Sequence, residues 1–403
     1  MVQSYTPHLY SKKELCNGVL LALLCSLSLL MEQRILLGFE EFTGITDQVL
    51  VWGVRLPLCL LFFGLFLLQG IPRVLLLFQI LLILSFAPVF LSLKVELAPV
   101  YVVKYLWPVI NFSLIFLVAR GIKHEKLLLS SLILPMLFFS GINAILIYAE
   151  TNAGIFRVLS SLPLSFCLGV LLLTFNRPFL FVISSAFFLF LYIWAVQRTG
   201  VLIVIVCFFV LGRYKELFAR KDVKLISMLL TIMATLTIAL LEYDVHWNGS
   251  IGTGRGNIWG HWLISLFESP QSVLFGFGPM DESSFLSIAE QGDKLFGWNI
   301  TRFPHSGFLA IASTGGFFRL GVFFLLLLLI LNVSRDSTVS SGLFYYSLIF
   351  GMTSAGHGLF VHYFTGFAFL LSFFMQVRMR KRTKLSIAQK TGRNIQTNIK
   401  STN

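Results

Sequence analysis

Charged side chains are scarce in this chain: Asp, Glu, Lys and Arg make up 12% of its 403 residues, whereas soluble proteins carry roughly 25%. This scarcity excludes a soluble globular protein. Apolar residues account for 57% of the chain. They form continuous runs of about 20 residues, the length that a helix needs to cross the hydrocarbon core of a membrane. The composition therefore predicts an all-α, polytopic integral membrane protein.

Cysteines and paired carboxylates are also scarce, which argues against two kinds of site. All five cysteines fall in apolar runs, so the external loops offer no disulfide framework and no Cys-x-x-Cys metal knuckle. They are Cys16, Cys25, Cys59, Cys167 and Cys207. The acidic residues of the largest polar loop show no Asp-x-Asp spacing; they include Asp281, Glu282, Glu290 and Asp293. We therefore expect no metal and no other cofactor.

The apolar runs predict about 12 transmembrane helices in a single membrane domain, residues 1–403. They lie at 14–31, 48–70, 74–93, 99–119, 127–149, 158–176, 179–196, 200–212, 225–242, 306–333, 341–360 and 361–377. With a cytoplasmic N-terminus, 21 of the 31 Lys and Arg residues fall on the cytoplasmic side, as the positive-inside rule requires. The C-terminus is then cytoplasmic too, with a basic tail at 378–403 that can touch anionic lipid. Orientation thus explains the net charge of +13, and we expect no nucleic acid partner.

The largest polar segment, residues 243–304, falls on the external side in this topology. Apolar residues recur at helical intervals within 257–267, which predicts an amphipathic helix lying at the membrane interface. A glycine-rich turn follows at 276–279, and a polar stretch then returns the chain to the membrane at His305. A chain this apolar has few places for water-side chemistry. This loop is therefore the natural place for a functional site.

Three basic residues stand out on the external side: Arg198 at a tight turn, Arg255 in the loop, and His305 at the return to the membrane. Arginine presents planar, always-charged donors that match phosphate oxygens, and a neutral histidine can take a proton from a sugar hydroxyl. Together they predict a basic pocket for a diphosphate at headgroup level. Each also has a structural interpretation. Arg198 can snorkel to lipid phosphate, Arg255 can be a solvated loop charge, and His305 can be a residue that starts a helix.

Other charges keep a transport function open. Several lie in or near predicted helices and could line the path of a flippase or transporter: Arg55, Lys94, Glu96, Lys104 and Arg319. Two histidines, His357 and His362, lie at the external end of the last predicted hairpin. They can join the pocket or simply face lipid headgroups.

The three basic residues belong to segments that resemble the O-antigen ligase and polysaccharide polymerase family of bacterial envelope enzymes. Residues 197–202 resemble the Arg-x-x-x-Leu segment of that family. Residues 253–259, with the turn at 276–279, resemble its segment of Gly-Arg, Trp and Gly-x-Gly-Pro. Residues 305–309, with Gly315-Gly316, resemble its His-Asn-x-x-Leu and glycine segment. The resemblance covers 197–321 and includes the loop 243–304.

The resemblance implies a GT-C-like, inverting glycosyltransferase that uses an undecaprenyl-diphosphate-linked glycan as donor. Arg198 and Arg255 would bind the diphosphate, and His305 would activate the acceptor hydroxyl. Supporting positions would be Trp259, Gly276, Gly278, Ser306 and His362. The chain departs from the family pattern at Ser306, where Asn is commoner, and around Arg319, where a second Gly is usual. These departures leave acceptor recognition open.

Two branches of the family share these motifs and differ in acceptor. The polymerase branch transfers to another lipid-linked glycan, and the ligase branch transfers to lipid A-core. The residues in these motifs resemble the polymerase branch slightly more than the ligase branch. We therefore expect polymerisation of O-antigen or exopolysaccharide repeat units, with ligation as the alternative. The implied location is the bacterial inner membrane with a periplasmic active site. Membrane lipid and a polysaccharide chain-length regulator are the further partners expected.

Overall fold

The computed structural model describes residues 10–30, 73–92, 113–115, 117–119, 121–151, 162–174, 177–194, 198–241, 255–278, 283–296, 306–333 and 338–353, and positions 53, 56–58, 60, 61, 64 and 110. Every regular element in these residues is helical, so the all-α prediction is confirmed for them. The helices are α1 (Lys12–Leu30), α2 (Arg73–Ser92), α3 (Glu125–Thr151), α4 (Leu162–Thr174), α5 (Pro178–Trp194), α6 (Arg198–Phe208), a π-helical turn (Phe209–Arg213), α7 (Lys215–Ala219), α8 (Lys221–Leu241), α9 (Arg255–Leu266), α10 (Pro270–Phe275), α11 (Ser283–Phe296), α12 (Gly307–Val333) and α13 (Thr338–Thr353).

Two of the described helices are long and apolar enough to cross a membrane: α8, and the Gly307–Leu329 part of α12. They differ in their surroundings, because α8 exposes most of its surface and α12 is largely buried within the protein. Apolar side chains of α8 point outward, among them Ile226, Leu230 and Met233. An exposed apolar face of this kind suits contact with lipid tails. The other predicted spans, and the sidedness of the loops, stay predictions.

The described residues divide into two compact units. In the first unit, α1 packs on α3, α3 on α4, and α4 on α5. A polar contact fixes the start of α1: the backbone N–H of Lys123 donates to Glu14 Oε1 at 2.7 Å, and His124 Nδ1 donates to the same oxygen at 3.1 Å. Ser11 caps the helix, because its Oγ accepts the N–H of Glu14. The buried Glu14 carboxylate therefore ties α1 to the segment before α3.

Helices α5 and α6 approach each other closely at an aromatic ring within the first unit. Tyr192 on α5 is fully buried, and a Cβ placed on Gly200 of α6 would lie 2.5 Å from the Tyr192 ring. Only a residue without a side chain allows this approach. Arg198 is the first residue of α6, so the predicted turn at this point leads directly into a helix.

The second unit contains α7 to α13. Most residues of 213–224, which lie between the predicted spans 200–212 and 225–242, are helical. The π-helical turn and α7 pack against α13, where Phe218 meets Tyr345 edge-to-face at 5.3 Å. Apolar residues such as Phe218 lie between the charges of this segment, and their burial favours helix over loop.

Helix α9 lies at the centre of the second unit and packs against α8, α10, α11 and α12. Its helical state was predicted for 257–267 and is confirmed for Arg255–Leu266. The open face expected of an amphipathic helix is not found, because nearly all of its residues are buried within the protein. Its level relative to the membrane stays a prediction. Trp262 is fully buried, and its ring packs at a tilt against the ring of Phe285 on α11, with 4.5 Å between the ring centroids. Helix α11, formed by the polar stretch after the turn, thus covers a face that an interfacial helix would leave open.

Candidate functional site

Arg255 is the first residue of α9, and its side chain is half-buried. Desolvation lowers the pKa of its guanidinium below the ordinary value, because burial disfavours the charged form. The N-terminus of a helix also carries the positive end of the helix dipole and unbonded backbone N–H groups. Both features favour an anion at this end of α9.

Trp259 lies one turn further along α9 and joins that helix to its neighbours. Its ring packs in a cluster with Ala239 of α8, and with Leu263 and Leu309. Only 3% of the residue is exposed, and its indole N–H is buried without a hydrogen-bond partner. A buried donor left unbonded costs free energy, on the order of 1–3 kcal/mol, and calls for an explanation in terms of strain, water or ligand. Trp259 is therefore both an anchor for α9 and an available donor.

The glycine-rich turn after α10 joins three helices through the backbone of one residue, Phe277. Its N–H donates to the carbonyl of Ser313 on α12 at 2.7 Å, and its carbonyl accepts the hydroxyl of Ser284 on α11 at 2.6 Å. Its ring packs against the cluster around Trp262. The predicted turn is confirmed, with positive φ at Gly276 (71°) and Gly278 (86°).

Helix α12 is broken at Gly316, where φ is 65° and ψ is −168°. The break and the turn fit together without intervening side chains: a Cβ on Gly276 would lie 2.5 Å from the Ser313 carbonyl oxygen and 2.6 Å from the Gly315 nitrogen. A Cβ on Gly316 would overlap the backbone of Leu274 and Phe275. Glycine is therefore required on both sides of the contact.

Ser306 precedes α12 and is fully buried. Its carbonyl accepts the N–H of Ala310 at 2.8 Å, which starts the helical hydrogen bonding. Its hydroxyl has no hydrogen-bond partner. Ser306 thus keeps a buried, unbonded polar group at the start of α12.

Sequence reasoning gave no role to His261, which the structure places inside the second unit. His261 is 5% exposed, and its Nε2 donates to the carbonyl of Ile288 on α11 at 2.9 Å. Because a carbonyl only accepts, Nε2 carries the proton. His261 therefore fastens α11 to α9. The sequence signal was available, since the apolar residues Phe285, Ile288 and Ala289 of α11 recur at helical spacing and mark a buried face.

The predicted site residues fall into three groups in the structure. Arg255, Trp259, Gly276, Gly278 and Ser306 all lie in the second unit, on segments that pack together. Arg198 belongs to the first unit, and only its backbone is described. His305 and His362 lie outside the described residues, as do Arg55, Lys94, Lys104 and the tail 378–403. The meeting of Arg198, Arg255 and His305 in one pocket stays a prediction.

The described part of the chain contains no group of three His, Cys, Asp or Glu side chains that could hold a metal ion. Metal independence stays a prediction. No protein-family model, no curated protein and no solved structure matches this chain. What the site does chemically must therefore be inferred from its own groups: a desolvated guanidinium at a helix N-terminus, and two buried polar groups with unused hydrogen-bonding capacity.

Proposed function

We propose that this protein is an inverting, metal-independent membrane glycosyltransferase. Its donor is a glycan carried on undecaprenyl diphosphate, and its acceptor is a sugar hydroxyl at the external face of a bacterial inner membrane. One observation carries the proposal. Two of the motif-bearing parts of the sequence, around Arg255 and around the 276–278 turn, pack in one unit on the helix that begins directly after His305 and Ser306.

Arg255 supports the proposal through its suitability for a diphosphate. Burial removes part of the hydration of its guanidinium. A phosphate oxygen would restore the hydrogen bonding that water otherwise supplies. A guanidinium binds phosphate through two parallel hydrogen bonds, which a lysine ammonium cannot reproduce. In the proposed enzyme Arg198 supplies a second guanidinium. Together the two would neutralise the charge that develops on the leaving diphosphate.

His305 would act as the general base. It takes the proton from the acceptor hydroxyl as the hydroxyl oxygen attacks the anomeric carbon of the donor sugar. The new glycosidic bond forms while the bond between that carbon and the diphosphate oxygen breaks. The electron pair leaves with the diphosphate, and attack from the opposite face inverts the anomeric centre. The products are the extended glycan and undecaprenyl diphosphate.

Glycan analysis of a deletion strain tests the proposal and separates its alternatives. A polymerase is expected to leave surface glycans of one repeat unit when deleted. A ligase would leave long lipid-linked polymer that never reaches lipid A-core. A flippase would leave single lipid-linked units on the cytoplasmic leaflet, and this last outcome would refute the glycosyltransferase.

Complementing that strain with His305→Ala tests the base. Removing a general base is expected to lower transfer by about 10²- to 10⁴-fold, with the protein still present in the membrane. His124→Ala is the control, because His124 pairs with Glu14 in the first unit and takes no part in the proposed chemistry. Normal glycan length and yield with His305→Ala would exclude this role for His305.

A further inference from the structure

Arg319 is buried inside the apolar helix α12, with 3% of its surface exposed. A charged side chain within a membrane helix costs free energy, so its retention there calls for a specific role. Direct binding of a substrate phosphate does not suit a guanidinium so thoroughly covered by protein. Its role must therefore act through the residues that it contacts.

Two contacts of Arg319 lie on the N-terminal side of the break in α12. Its Nη1 donates a hydrogen bond to Oγ1 of Thr314. The Thr314 hydroxyl in turn donates to the carbonyl of Ala310 at 2.7 Å. The aliphatic stem of Arg319 lies over Gly315, where any Cβ would overlap it. Arg319, which follows the break, thus reaches back across it to Thr314 and Gly315, the two residues before Gly316.

The break is what allows the external turn to bind α12. In an unbroken helix, the carbonyl of Ser313 would accept the N–H four residues further on. With Gly316 in a non-helical conformation, the Ser313 carbonyl instead accepts the N–H of Phe277. The backbone of Leu274 and Phe275 lies against Gly316, where an unbroken helix would present a side chain. The geometry of residues 313–316 therefore decides whether the turn is held.

We infer that Arg319 is a positioning residue, which fixes the break in α12 so that the 276–278 turn docks on it. The turn holds α11 against α9 through Phe277, so the docking also fixes the helix that begins with Arg255. The structural part of the inference concerns the fold alone. Its consequence for donor binding rests on the proposed function.

Amide hydrogen exchange of the peptide covering 274–278, measured by mass spectrometry in nanodiscs, tests the structural part. Arg319→Ala removes both the stem over Gly315 and the bond to Thr314. We expect the Phe277 amide to exchange at least about tenfold faster, because a hydrogen bond to a charged group is lost at the docking point. Unchanged exchange would overturn the inference.

Thr314→Val provides the same test without removing a charge, so the outcome does not depend on the folding of Arg319→Ala. Thr235→Val in α8 is the matched control, since the buried Thr235 also donates to the carbonyl four residues back and has no part in the docking. Thr314→Val is expected to accelerate Phe277 exchange, and Thr235→Val to leave it unchanged. Equal effects of the two substitutions would reduce Arg319 and Thr314 to general helix packing.

Kinetics with a lipid-diphosphate-linked donor complete the test. A loosened turn is expected to raise the donor KM about tenfold with a smaller change in kcat, and Arg319→Lys, which keeps a stem and a donor, is expected to recover part of the loss. A fall in kcat alone, without faster exchange, would overturn the positioning role. If the wild-type protein transfers no glycan, the proposed function fails, while the exchange experiment still decides the role of Arg319.

Discussion

Arg255 shows how a single residue can be prepared for an anion by its position alone. Desolvation is the cause of its lowered pKa, yet arginine stays protonated at any physiological pH. The charge therefore remains in surroundings that hydrate it poorly. An anionic group that reaches it gains more than it would at a fully solvated arginine, because the effective dielectric constant is lower. The sequence marked Arg255 as basic, but only the packing of α9 gives it this property.

Gly316 gives the sharpest test at the scale of one residue. Its φ and ψ lie in a region that only glycine adopts readily, at a cost on the order of 1–3 kcal/mol for other residues. Gly316→Ala also overlaps the backbone of Leu274, so we expect a clear fall in the thermal unfolding midpoint in detergent or nanodiscs. Gly321→Ala in the same helix is the control, because nothing lies within 4 Å of its added Cβ. Equal midpoints for both variants would contradict the docking geometry.

At the scale of elements, the sequence predicted α9 almost to its ends and still misjudged its surroundings. The spacing of Ile258, Trp259, Trp262 and Leu266 indicates a helix with an apolar face, and such a face fits a membrane surface as well as a protein interior. The deciding element is α11, which supplies Phe285 and Ile288 against Trp262. The charged residues of α11 indicate a polar stretch that returns to the membrane, and the helical spacing of its apolar residues is the weaker signal. Local pattern therefore fixes helical state, while burial depends on partners elsewhere in the chain.

The break in α12 was likewise beyond reach of sequence reasoning. Gly315-Gly316 in an apolar run is equally compatible with close helix packing and with a kink. The kink is selected by the backbone of the 276–278 turn, which is distant in the sequence. The N–H of Phe277 in this turn donates to the carbonyl of Ser313. The resemblance singled out the 276–279 turn and Gly315-Gly316. It gave no indication that two of its parts touch.

The start of α1 provides a test at the element scale. Glu14→Ala removes the acceptor of the Lys123 N–H and the partner of His124, so we expect α1 to loosen from α3 and the thermal midpoint to fall. Asp222→Ala is the control, because Asp222 pairs with Arg220 on an exposed surface, where ion pairs contribute little. Faster proteolysis near residue 30 would report the same loosening. If Asp222→Ala destabilises the protein as much as Glu14→Ala does, the anchoring role of Glu14 is wrong.

For the whole molecule, composition was enough to predict helices and apolar surfaces, but not how the units assemble. Low charge and long apolar runs limit the fold to packed helices. Which helices meet depends on the fit of particular side chains, such as the Tyr192 ring over Gly200. The prediction that Arg198, Arg255 and His305 share a pocket concerns assembly, and hydropathy carries no information on assembly.

Membrane orientation is testable across α8. Exposed residues stand before and after this helix: Lys215 on α7 and Glu290 on α11. In a background with the five cysteines replaced by serine, we expect Glu290→Cys to react with an impermeant maleimide added outside spheroplasts, and Lys215→Cys to react only after permeabilisation. The two labelling patterns control for each other. Labelling of both from the same side would refute α8 as a span.

The burial of nearly all residues of α9 has a consequence for how the protein is made. Of the four described helices that pack closely against it, α8 alone precedes it in the chain, and α10, α11 and α12 follow. A chain emerging from the ribosome must therefore hold the Trp262 side chain uncovered until α11 arrives. Nascent apolar surface of this kind attracts chaperones and proteases. Premature termination anywhere before α11 should accordingly yield a product that quality control removes.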